Sequence, residues 1–384
     1  MRLLHTVTLQ LLNFASKEIP DYAILSHTWE QDEVLLEDML QPNHEIALAN
    51  KAGYKKIKDS CQRARRDGYA WIWIDTCCID KTSSAELSEA INSMYQWYAR
   101  SCVCYAYLSD VSPLRHDDDD QAIKSSLYES RWFKRGWTLQ ELIAPKYVEF
   151  YANDWSEIGT KSSLRSCLAE ITSINPKVLQ GCSISSCSIA ERMAWAEYRE
   201  TTRVEDVAYC LLGIFDINMP LLYGEGRKAF KRLQYEILQQ HEDLTLLAWP
   251  YHPPTFEDVY DLNIETEGLG VLARHPVFFS SGNTYFVDTE GTRLDWPPSF
   301  KGTNWVEMSY EPLLGHDDSS TSELTKNIKS ISRVLGTRIF HPPSITSRGL
   351  RIYLFVNPSQ IRATVQHCLL GYFASYEDTL SVFC

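Results

Sequence analysis

The sequence lacks the charge balance of a nucleic-acid-binding protein. Its 384 residues include 37 Lys and Arg against 50 Asp and Glu, which gives a formal net charge of −13 at pH 7. Proteins that neutralise a phosphate backbone usually carry a basic face or a basic domain. Here the basic residues are scattered along the chain. The composition therefore argues against nucleic acid as a partner.

Long apolar runs are also missing. No stretch reaches the roughly 18 consecutive apolar residues of a membrane-spanning helix. The N-terminal "MRLLHTVTLQLLNFASKEIP" has too many polar interruptions for a secretory signal peptide. The eleven cysteines are odd in number and include Cys77 and Cys78 inside an apolar run, a pattern typical of a reducing compartment. We therefore expect a cytoplasmic protein without a membrane span.

Motifs for metals and nucleotide phosphates are absent as well. The cysteines form no CxxC pair, and Cys182 and Cys187 have no nearby histidine, so no metal site is predicted. The phosphate-loop pattern GxxxxGK[ST] does not occur, and the glycines of "YGEG" at 223–226 are interpreted as a turn that starts a helix. No cofactor is predicted from these patterns.

The order of apolar segments indicates an α/β domain at the N-terminus. Over residues 1–160, short apolar runs alternate with amphipathic stretches, which is typical of a parallel sheet covered by helices. Strands are predicted over 22–27, 70–75, 102–108 and 147–152, and helices over 51–69, 85–98 and 137–143. The last helix is expected to stop before Pro145.

Two further regions follow the α/β domain. Residues 161–242 are predicted to be a helical extension, in which Thr202 and Glu205 have the spacing of a capping box ahead of "VAYCLLGIF". Beyond it, prolines cluster and short alternating runs such as "TYFVDT" and "LRIYLFV" appear. Residues 243–384 are therefore predicted to form a β-rich C-terminal domain.

Three blocks in the first region carry a family resemblance. They are "YAILSHTWE", "WIWIDTCCIDKTSSAELSEAINSMYQWY" and "RWFKRGWTLQELIAP". Together they resemble the three blocks of the fungal heterokaryon-incompatibility (HET) domain, in the same order and at similar spacing. The resemblance implies a role in nonself recognition, in which such domains trigger programmed cell death after fusion of incompatible cells. The partners that it implies are further copies of the chain and an NLR-type or other incompatibility protein.

The HET domain in turn resembles, distantly, the Toll/interleukin-1 receptor (TIR) domain. This resemblance implies a flavodoxin-like parallel sheet with helices. Enzymatic TIR domains carry a tryptophan, a small residue, two further positions, and then glutamate and leucine, and the segment from Trp137 to Leu142 fits that pattern. In those enzymes the glutamate is required to cleave NAD at the nicotinamide–ribose bond. Glu141 is thus the implied catalytic residue, with NAD as substrate, and Trp137 is expected to anchor its helix to the sheet.

The strand ends suggest the rest of a site. Ligands of open α/β sheets bind outside the carboxyl ends of the strands, where Ser26, His27, Trp29 and Asp75 are expected to share a cleft with Glu141. A flat ring would stack on the Trp29 indole.

One basic residue of the third block is assigned to the same site. Arg135 would donate to a pyrophosphate through its planar guanidinium. Against this, Glu30 stands where family members usually have glycine. An acid there would narrow the cleft or repel a pyrophosphate.

Simpler interpretations remain open at this stage. Glu141 would be a solvated residue on an exposed helix turn, His27 a hydrogen-bonded structural histidine, and Asp75 the cap of a turn. At the level of function, the alternatives are a non-enzymatic signalling module that acts by homotypic self-association, and an inactive paralogue.

Overall fold

The structure is a computed structural model in which the chain divides into two compact units. The first comprises Met1–Cys187 and Arg192–Leu233, and the second Ser188–Glu191 and Gln234–Cys384. The residues described are 1–15, 18–113, 120–241, 243–247, 272–279, 344–346, 349–354, 372–373 and 380–382.

A seven-stranded sheet forms the centre of the first unit. Its strands are β1 (Arg2–His5), β2 (Leu11–Asn13), β3 (Ala23–His27), β4 (Trp71–Trp73), β5 (Val103–Tyr107), β6 (Val148–Tyr151) and β7 (Glu157–Thr160). They lie in the order β2-β1-β4-β3-β5-β6-β7. The four central strands are parallel, whereas β1, β2 and β7 join antiparallel at the edges. The predicted α/β class is confirmed, but the sheet is mixed and not wholly parallel.

Burial explains why the central strands were visible in the sequence. All five residues of β3 are buried, as are the first four of β5, because parallel strands are covered by helices on both faces. Ala23–His27 pairs in register with Val103–Tyr107. The strand β4 lies on the other side of β3, so the order of the parallel strands reverses between β3 and β5. Ligand sites form at the carboxyl ends of strands at such a point.

Fourteen α-helices lie in the described residues. They are α1 (Leu36–Met39), α2 (His44–Ala47), α3 (Ala52–Arg66), α4 (Asp75–Cys78), α5 (Ser84–Arg100), α6 (Asp120–Glu129), α7 (Arg131–Lys134), α8 (Thr138–Ile143), α9 (Arg165–Thr172), α10 (Pro176–Leu179), α11 (Ile189–Ala194), α12 (Asp206–Tyr209), α13 (Leu212–Phe215) and α14 (Lys228–Gln240). Short 3-10 turns occupy Ile184–Ser186, Leu244–Leu247 and Pro276–Phe279. The helices predicted over 51–69, 85–98 and 137–143 correspond to α3, α5 and α8. The apolar stripe on α5 buries Ile91, Met94 and Tyr98.

The predicted capping box is wrong in detail. Helix α12 begins at Asp206, and no side chain caps its first turn. Instead, the Glu205 carboxylate accepts hydrogen bonds from the backbone N–H groups of Gly224 (2.8 Å) and Gly226 (2.9 Å). Both glycines have positive φ, +106° and +60°, which favours glycine in this turn. Glu205 therefore holds the "YGEG" turn rather than pairing with Thr202.

A glycine allows two helices of the first unit to pack closely. Gly213 in α13 lies directly on Tyr95 of α5, and a Cβ atom at Gly213 would come within 2.1 Å of the Tyr95 Cβ. The side chain one turn further along α5 is that of Tyr98, which is buried. The contact between α13 and α5 thus lies one helical turn from Tyr98.

The second unit contains a four-stranded antiparallel sheet. Its strands are β8 (Ser344–Thr346), β9 (Gly349–Leu354), β10 (Tyr372–Phe373) and β11 (Leu380–Val382), in the order β10-β11-β9-β8. In the same unit, the backbone N–H groups of Ile189 and Ala190 donate to Asp243 and Thr245. The predicted strand "LRIYLFV" overlaps β9. Most of the predicted β-rich domain, including "TYFVDT", lies outside the described residues.

Neither a membrane span nor a metal cluster is found in the part of the chain that the structure describes. No helix there is both long enough and apolar enough to cross a bilayer. No three or more His, Cys, Asp or Glu side chains are grouped there so as to hold a metal ion.

Candidate functional site

Glu141 is a buried, hydrogen-bonded residue of α8. Only 7% of it is exposed, so the alternative of a solvated residue on an exposed helix turn is wrong. The Ser26 hydroxyl, near the carboxyl end of β3, donates to Glu141 Oε2. The Tyr98 side chain of α5 also lies beside the Glu141 carboxyl group, and its hydroxyl donates to the Leu25 carbonyl of β3 at 3.1 Å. Residues of a strand and a helix therefore adjoin this group.

The surroundings of Glu141 favour its protonated form. Burial raises the pKa of Glu141 to about 8. The hydrogen bond from Ser26, the neighbouring Tyr98 side chain and the positive charge of Arg135 lower the pKa, while the negative charge of Asp75 raises it. Desolvation outweighs the stabilising contacts because a buried carboxylate loses its hydration. At pH 7 most of the Glu141 carboxyl groups are therefore protonated.

The nearby tryptophan that reaches the sheet is Trp132, not Trp137. Trp132 is completely buried, and its Nε1 donates to Ser26 Oγ at 2.8 Å. The Ser130 hydroxyl caps α7 by accepting from the Trp132 backbone N–H. The expected anchor, Trp137, lies beside Asp206 of α12, where burial raises the pKa of the Asp206 carboxyl group and Trp137 lowers it. Trp132, Ser26 and Glu141 thus form a chain of hydrogen bonds.

His27 is buried without a hydrogen-bond partner among the described residues. Its Nε2 lies 3.8 Å from Glu33 Oε2, and its Nδ1 lies 3.8 Å from Asp75 Oδ1. Neither ring nitrogen has a partner within hydrogen-bond distance, so the alternative of a hydrogen-bonded structural histidine is wrong. Burial lowers the pKa of His27 well below its usual value, and the charges of Lys56, Lys81 and Arg135 lower it further. The imidazole is therefore neutral.

Trp29 and Asp75 contact each other at the edge of this region. Trp29 is 37% exposed, and its Nε1 donates to Asp75 Oδ2 at 2.8 Å. Asp75 is also the first residue of α4. One face of the Trp29 ring is covered by Lys81, whose Nζ lies 3.4 Å from the ring centroid. A flat ligand that stacks on this face would have to displace Lys81.

Arg135 acts on Glu141 and His27 through its positive charge. The half-buried Arg135 lowers the pKa of both Glu141 and His27. Its carbonyl accepts from Arg199 Nη1 at 2.8 Å, and the same guanidinium nitrogen donates to Thr138 Oγ1 at 3.0 Å. Burial lowers the pKa of Arg199 to about 10, so this side chain remains a cation at pH 7.

Backbone hydrogen bonds strengthen the contact around Arg199. Gly136 N–H donates to the carbonyl of Glu200 at 2.8 Å, and Glu200 N–H donates to the carbonyl of Lys134 at 2.6 Å. Residues 199–200 therefore clamp the segment that leads into α8. At the other end of the helix, the buried Lys161 ammonium donates to the carbonyls of Leu142 and Pro145.

Comparison with known proteins finds a family match for part of the first unit. Residues 22–120 match the family model described as "Heterokaryon incompatibility protein (HET)". Residues 22–120 are thus similar to a HET domain. The matched residues contain Ser26, His27, Trp29 and Asp75, and they end before Glu141.

Two curated proteins resemble parts of the chain. Vegetative incompatibility protein HET-E-1 of Podospora anserina is 47% identical over 226 residues, which cover 58% of this chain and 16% of that protein. Nicalin of Caenorhabditis elegans is 28% identical over 110 residues, which cover 28% of this chain and 20% of that protein. The chain thus spans at most a fifth of the length of these two relatives. No solved structure matches it.

Glu30, the departure from the usual HET pattern, is paired with a cation. Its Oε1 accepts from Ser109 Oγ at 2.7 Å and from Arg131 Nη2 at 3.1 Å. Arg131 also contacts Asp110. The charge of Glu30 is therefore offset locally, which weakens the expected repulsion of a pyrophosphate.

The structure brings the predicted site residues into one region at the carboxyl end of β3. They are Ser26, His27, Trp29, Asp75, Arg135 and Glu141. Sequence reasoning missed the residues that surround them, which are Glu33, Lys56, Lys81, Tyr98, Trp132 and Arg199. Of these residues, only Tyr98 was indicated by the sequence. The apolar stripe on α5 predicted that Tyr98 is buried in the core, but it did not predict the polar contact of its hydroxyl. Their proximity does not establish what each residue does, so the role of each one stays a prediction.

Replacing Ser26 by alanine is expected to lower the free energy of unfolding by about 2 kcal/mol. The change leaves the Trp132 N–H without its acceptor and removes the hydroxyl that donates to Glu141. Urea unfolding at pH 7 measures the difference. The matched control is Ser60→Ala, because the equally buried Ser60 hydroxyl donates only to the Ile57 carbonyl one helical turn before it. An equal loss in both variants would contradict the prediction.

Proposed function

We propose that this protein acts in heterokaryon incompatibility and triggers cell death by hydrolysing NAD at the nicotinamide–ribose bond, with Glu141 as the catalytic residue. The main observation that supports this proposal is the buried Glu141 carboxyl group, which is held by Ser26 and lies beside Tyr98 and Arg135. The family match and the similarity to HET-E-1 support the role in incompatibility. A cytoplasmic location belongs to the same proposal.

The fold proposed for this domain is the flavodoxin-like arrangement of TIR domains. The parallel strands are supporting observations, since in chain order they follow the pattern 2-1-3-4 across the sheet. The edge strands β1, β2 and β7 would then be additions to that arrangement. Glu141 lies next to the strand at which the order reverses.

The reaction requires little proton transfer. The bond between ribose C1′ and the nicotinamide nitrogen breaks, and its electron pair neutralises the cationic nicotinamide ring. Water then supplies the hydroxyl group of the ribose product and releases a proton. Positive charge develops on the ribose, so an ionised Glu141 next to it stabilises the transition state. No general acid is needed, because the departing nicotinamide is neutral.

The remaining residues would bind and orient the dinucleotide. Arg135 carries a delocalised charge and a planar set of donors suited to a phosphate group. The neutral His27 has one ring N–H and one ring acceptor unpaired in the described structure. Ser26 holds the Glu141 carboxyl group in place, so the catalytic oxygen does not need to reorganise as charge develops.

Nicotinamide release from NAD by the purified full chain tests the proposal. The rate is expected to rise with pH and to level off above about 8, because only the ionised form of Glu141, whose pKa is raised to about 8, stabilises the transition state. Below that pH each unit is expected to change the rate by about tenfold. Nicotinamide is quantified by chromatography at a series of pH values. No release at high protein concentration would contradict the proposal, as would a rate that falls with rising pH.

The survival of a fungal host distinguishes NAD hydrolysis from non-enzymatic signalling. Expression of the wild-type chain is expected to kill cells, and Glu141→Ala is expected to leave them alive. Cell counts after induction measure this difference. Equal killing by the two proteins would favour self-association, and equal survival would favour an inactive paralogue.

A further inference from the structure

Lys81 holds a shielded positive charge without a hydrogen-bond acceptor. Its Nζ is inaccessible to solvent and has no partner among the described residues. Its position over the Trp29 ring, 3.4 Å from the centroid, supplies a cation–π contact. That contact does not replace the acceptors that an ammonium group loses on burial. By contrast, the buried Lys161 ammonium donates to two backbone carbonyls.

A second unsatisfied group lies in the same region. His27 is only 5% exposed, and both of its ring nitrogens lack a hydrogen-bond partner in the described structure. Its two neighbouring carboxylates, on Glu33 and Asp75, stand 3.8 Å away, beyond hydrogen-bond distance. The neutral ring retains an N–H group that is available to an oxygen of a ligand. An unpaired ammonium and an unpaired imidazole therefore both lie near the Asp75 carboxylate.

The local charges favour an anion there, although the whole chain is acidic. The carboxylate of Glu33 is matched by Lys56, and Glu141 is mostly protonated at pH 7. The charges of Lys81 and Arg135 therefore face the single carboxylate of Asp75, which also accepts a hydrogen bond from Trp29. Neither Lys81 nor Arg135 has a carboxylate within ion-pair distance among the described residues. The effect is visible at His27, whose pKa is lowered by burial and by three cations: Lys56, Lys81 and Arg135. A ligand with negative charge would supply the missing acceptors.

We propose that Lys81 and Arg135 together bind the pyrophosphate of the dinucleotide, and that Lys81 leaves the face of Trp29 to do so. The inference rests on the proposed function and names the residue that recognises the phosphates. Departure of Lys81 exposes the indole face, so phosphate binding and stacking of a ligand ring on Trp29 are coupled. The free protein keeps this face covered by the same ammonium group that the phosphates attract.

Titration calorimetry with ADP-ribose, using the full chain, tests the inference. Lys81→Met is expected to raise the Kd for ADP-ribose by about tenfold or more, because a charged hydrogen bond to phosphate is lost. Lys81→Arg is expected to stay within about threefold of wild type, because the charge and its donors remain. The control is Lys58→Met, since Lys58 also lies over an aromatic ring, that of Tyr54 at 4.9 Å, but it is exposed and belongs to α3.

Folding of the variants is checked by thermal unfolding. Lys81→Met is expected to unfold at the same temperature as wild type or higher, since it removes a shielded charge that has no acceptor. Unchanged ADP-ribose affinity in Lys81→Met would overturn the inference, as would the absence of binding to wild type at millimolar ADP-ribose.

ADP-ribose binding requires no bond cleavage, so the inference and the proposed function fail separately. A chain that binds ADP-ribose through Lys81 without releasing nicotinamide would support the inference and contradict the hydrolysis. Release of nicotinamide with a KM unaffected by Lys81→Met would do the reverse.

Discussion

Replacing Glu141 by glutamine is expected to stabilise the protein at pH 8 by about 4 kcal/mol while abolishing nicotinamide release. The pKa of Glu141 is raised from 4.5 to about 8 by burial. Between those two pH values the folded protein retains a proton that the unfolded chain has released. The contribution of Glu141 to stability is therefore fully present below pH 4.5, falls as the pH rises, and is lost by about pH 8. Glutamine does not titrate and escapes this loss.

Urea unfolding at pH 4.5 and pH 8 measures the effect. The wild-type chain and Glu141→Gln are expected to differ little at pH 4.5, because both then carry a neutral side chain at this position. Glu37→Gln is the control, since Glu37 is exposed on α1 and is expected to change stability at neither pH. A variant that is less stable than wild type at both pH values would show that the carboxyl group is held mainly by its hydrogen bonds.

The same variant separates catalysis from folding. Loss of nicotinamide release usually invites the objection that the mutant is misfolded. Here the inactive protein is expected to be the more stable one at the pH of the assay. Stability and activity are commonly in opposition at active sites, where a group is kept in an unfavourable environment for the sake of its chemistry.

The second prediction with a large effect concerns helix packing. Gly213→Ala is expected to lower the free energy of unfolding by about 3 kcal/mol. The added Cβ would lie 2.1 Å from the Tyr95 Cβ and 2.5 Å from its Cγ. A Cβ atom is fixed to its backbone and cannot rotate away, so α13 and α5 would have to separate. Urea unfolding at pH 7 measures the loss.

Gly68→Ala is the control for that substitution. Gly68 has a positive φ of +89°, and nothing lies within 4 Å of the added Cβ. Only backbone strain is expected there, with a cost of about 1 kcal/mol. Similar losses in the two variants would mean that α13 moves away from α5 at little cost. Separation of the helices would also move α5, which carries Tyr98 beside Glu141.

The parts of the fold that were predictable from the sequence are the strands that are covered by other elements on both faces of the sheet. The apolar runs at 22–27 and 102–108 indicated β3 and β5, because strands covered on both faces contain few polar residues. The edge strands β1 and β2 were missed. They pair antiparallel at the margin of the sheet and span only four and three residues, which is too short for a strand periodicity to be recognised.

The composition of the site was predictable from strand ends, but its environment was not. The rule that ligands bind at carboxyl ends of strands placed Ser26 and His27 near Glu141. The burial of Glu141 depends on side chains from other elements, including Tyr98 of α5 and Trp132 of α7. Their spacing in the sequence carries no sign of this contact. Lys81 was missed for the same reason, since its partner is the face of Trp29.

The clamp formed by Arg199 and Glu200 has a consequence for how these proteins evolve. Its hydrogen bonds hold residues 134–138, which begin the helix of Glu141, although some 60 positions separate the two segments in the chain. A recombination event that exchanged residues 1–160 alone between two HET proteins would join α8 to a foreign clamp. We expect recombinant proteins that remain stably folded to keep both segments from one parent. Because only the bond from Arg199 to the Thr138 hydroxyl joins two side chains, substitutions at Thr138 should be accompanied by changes at Arg199.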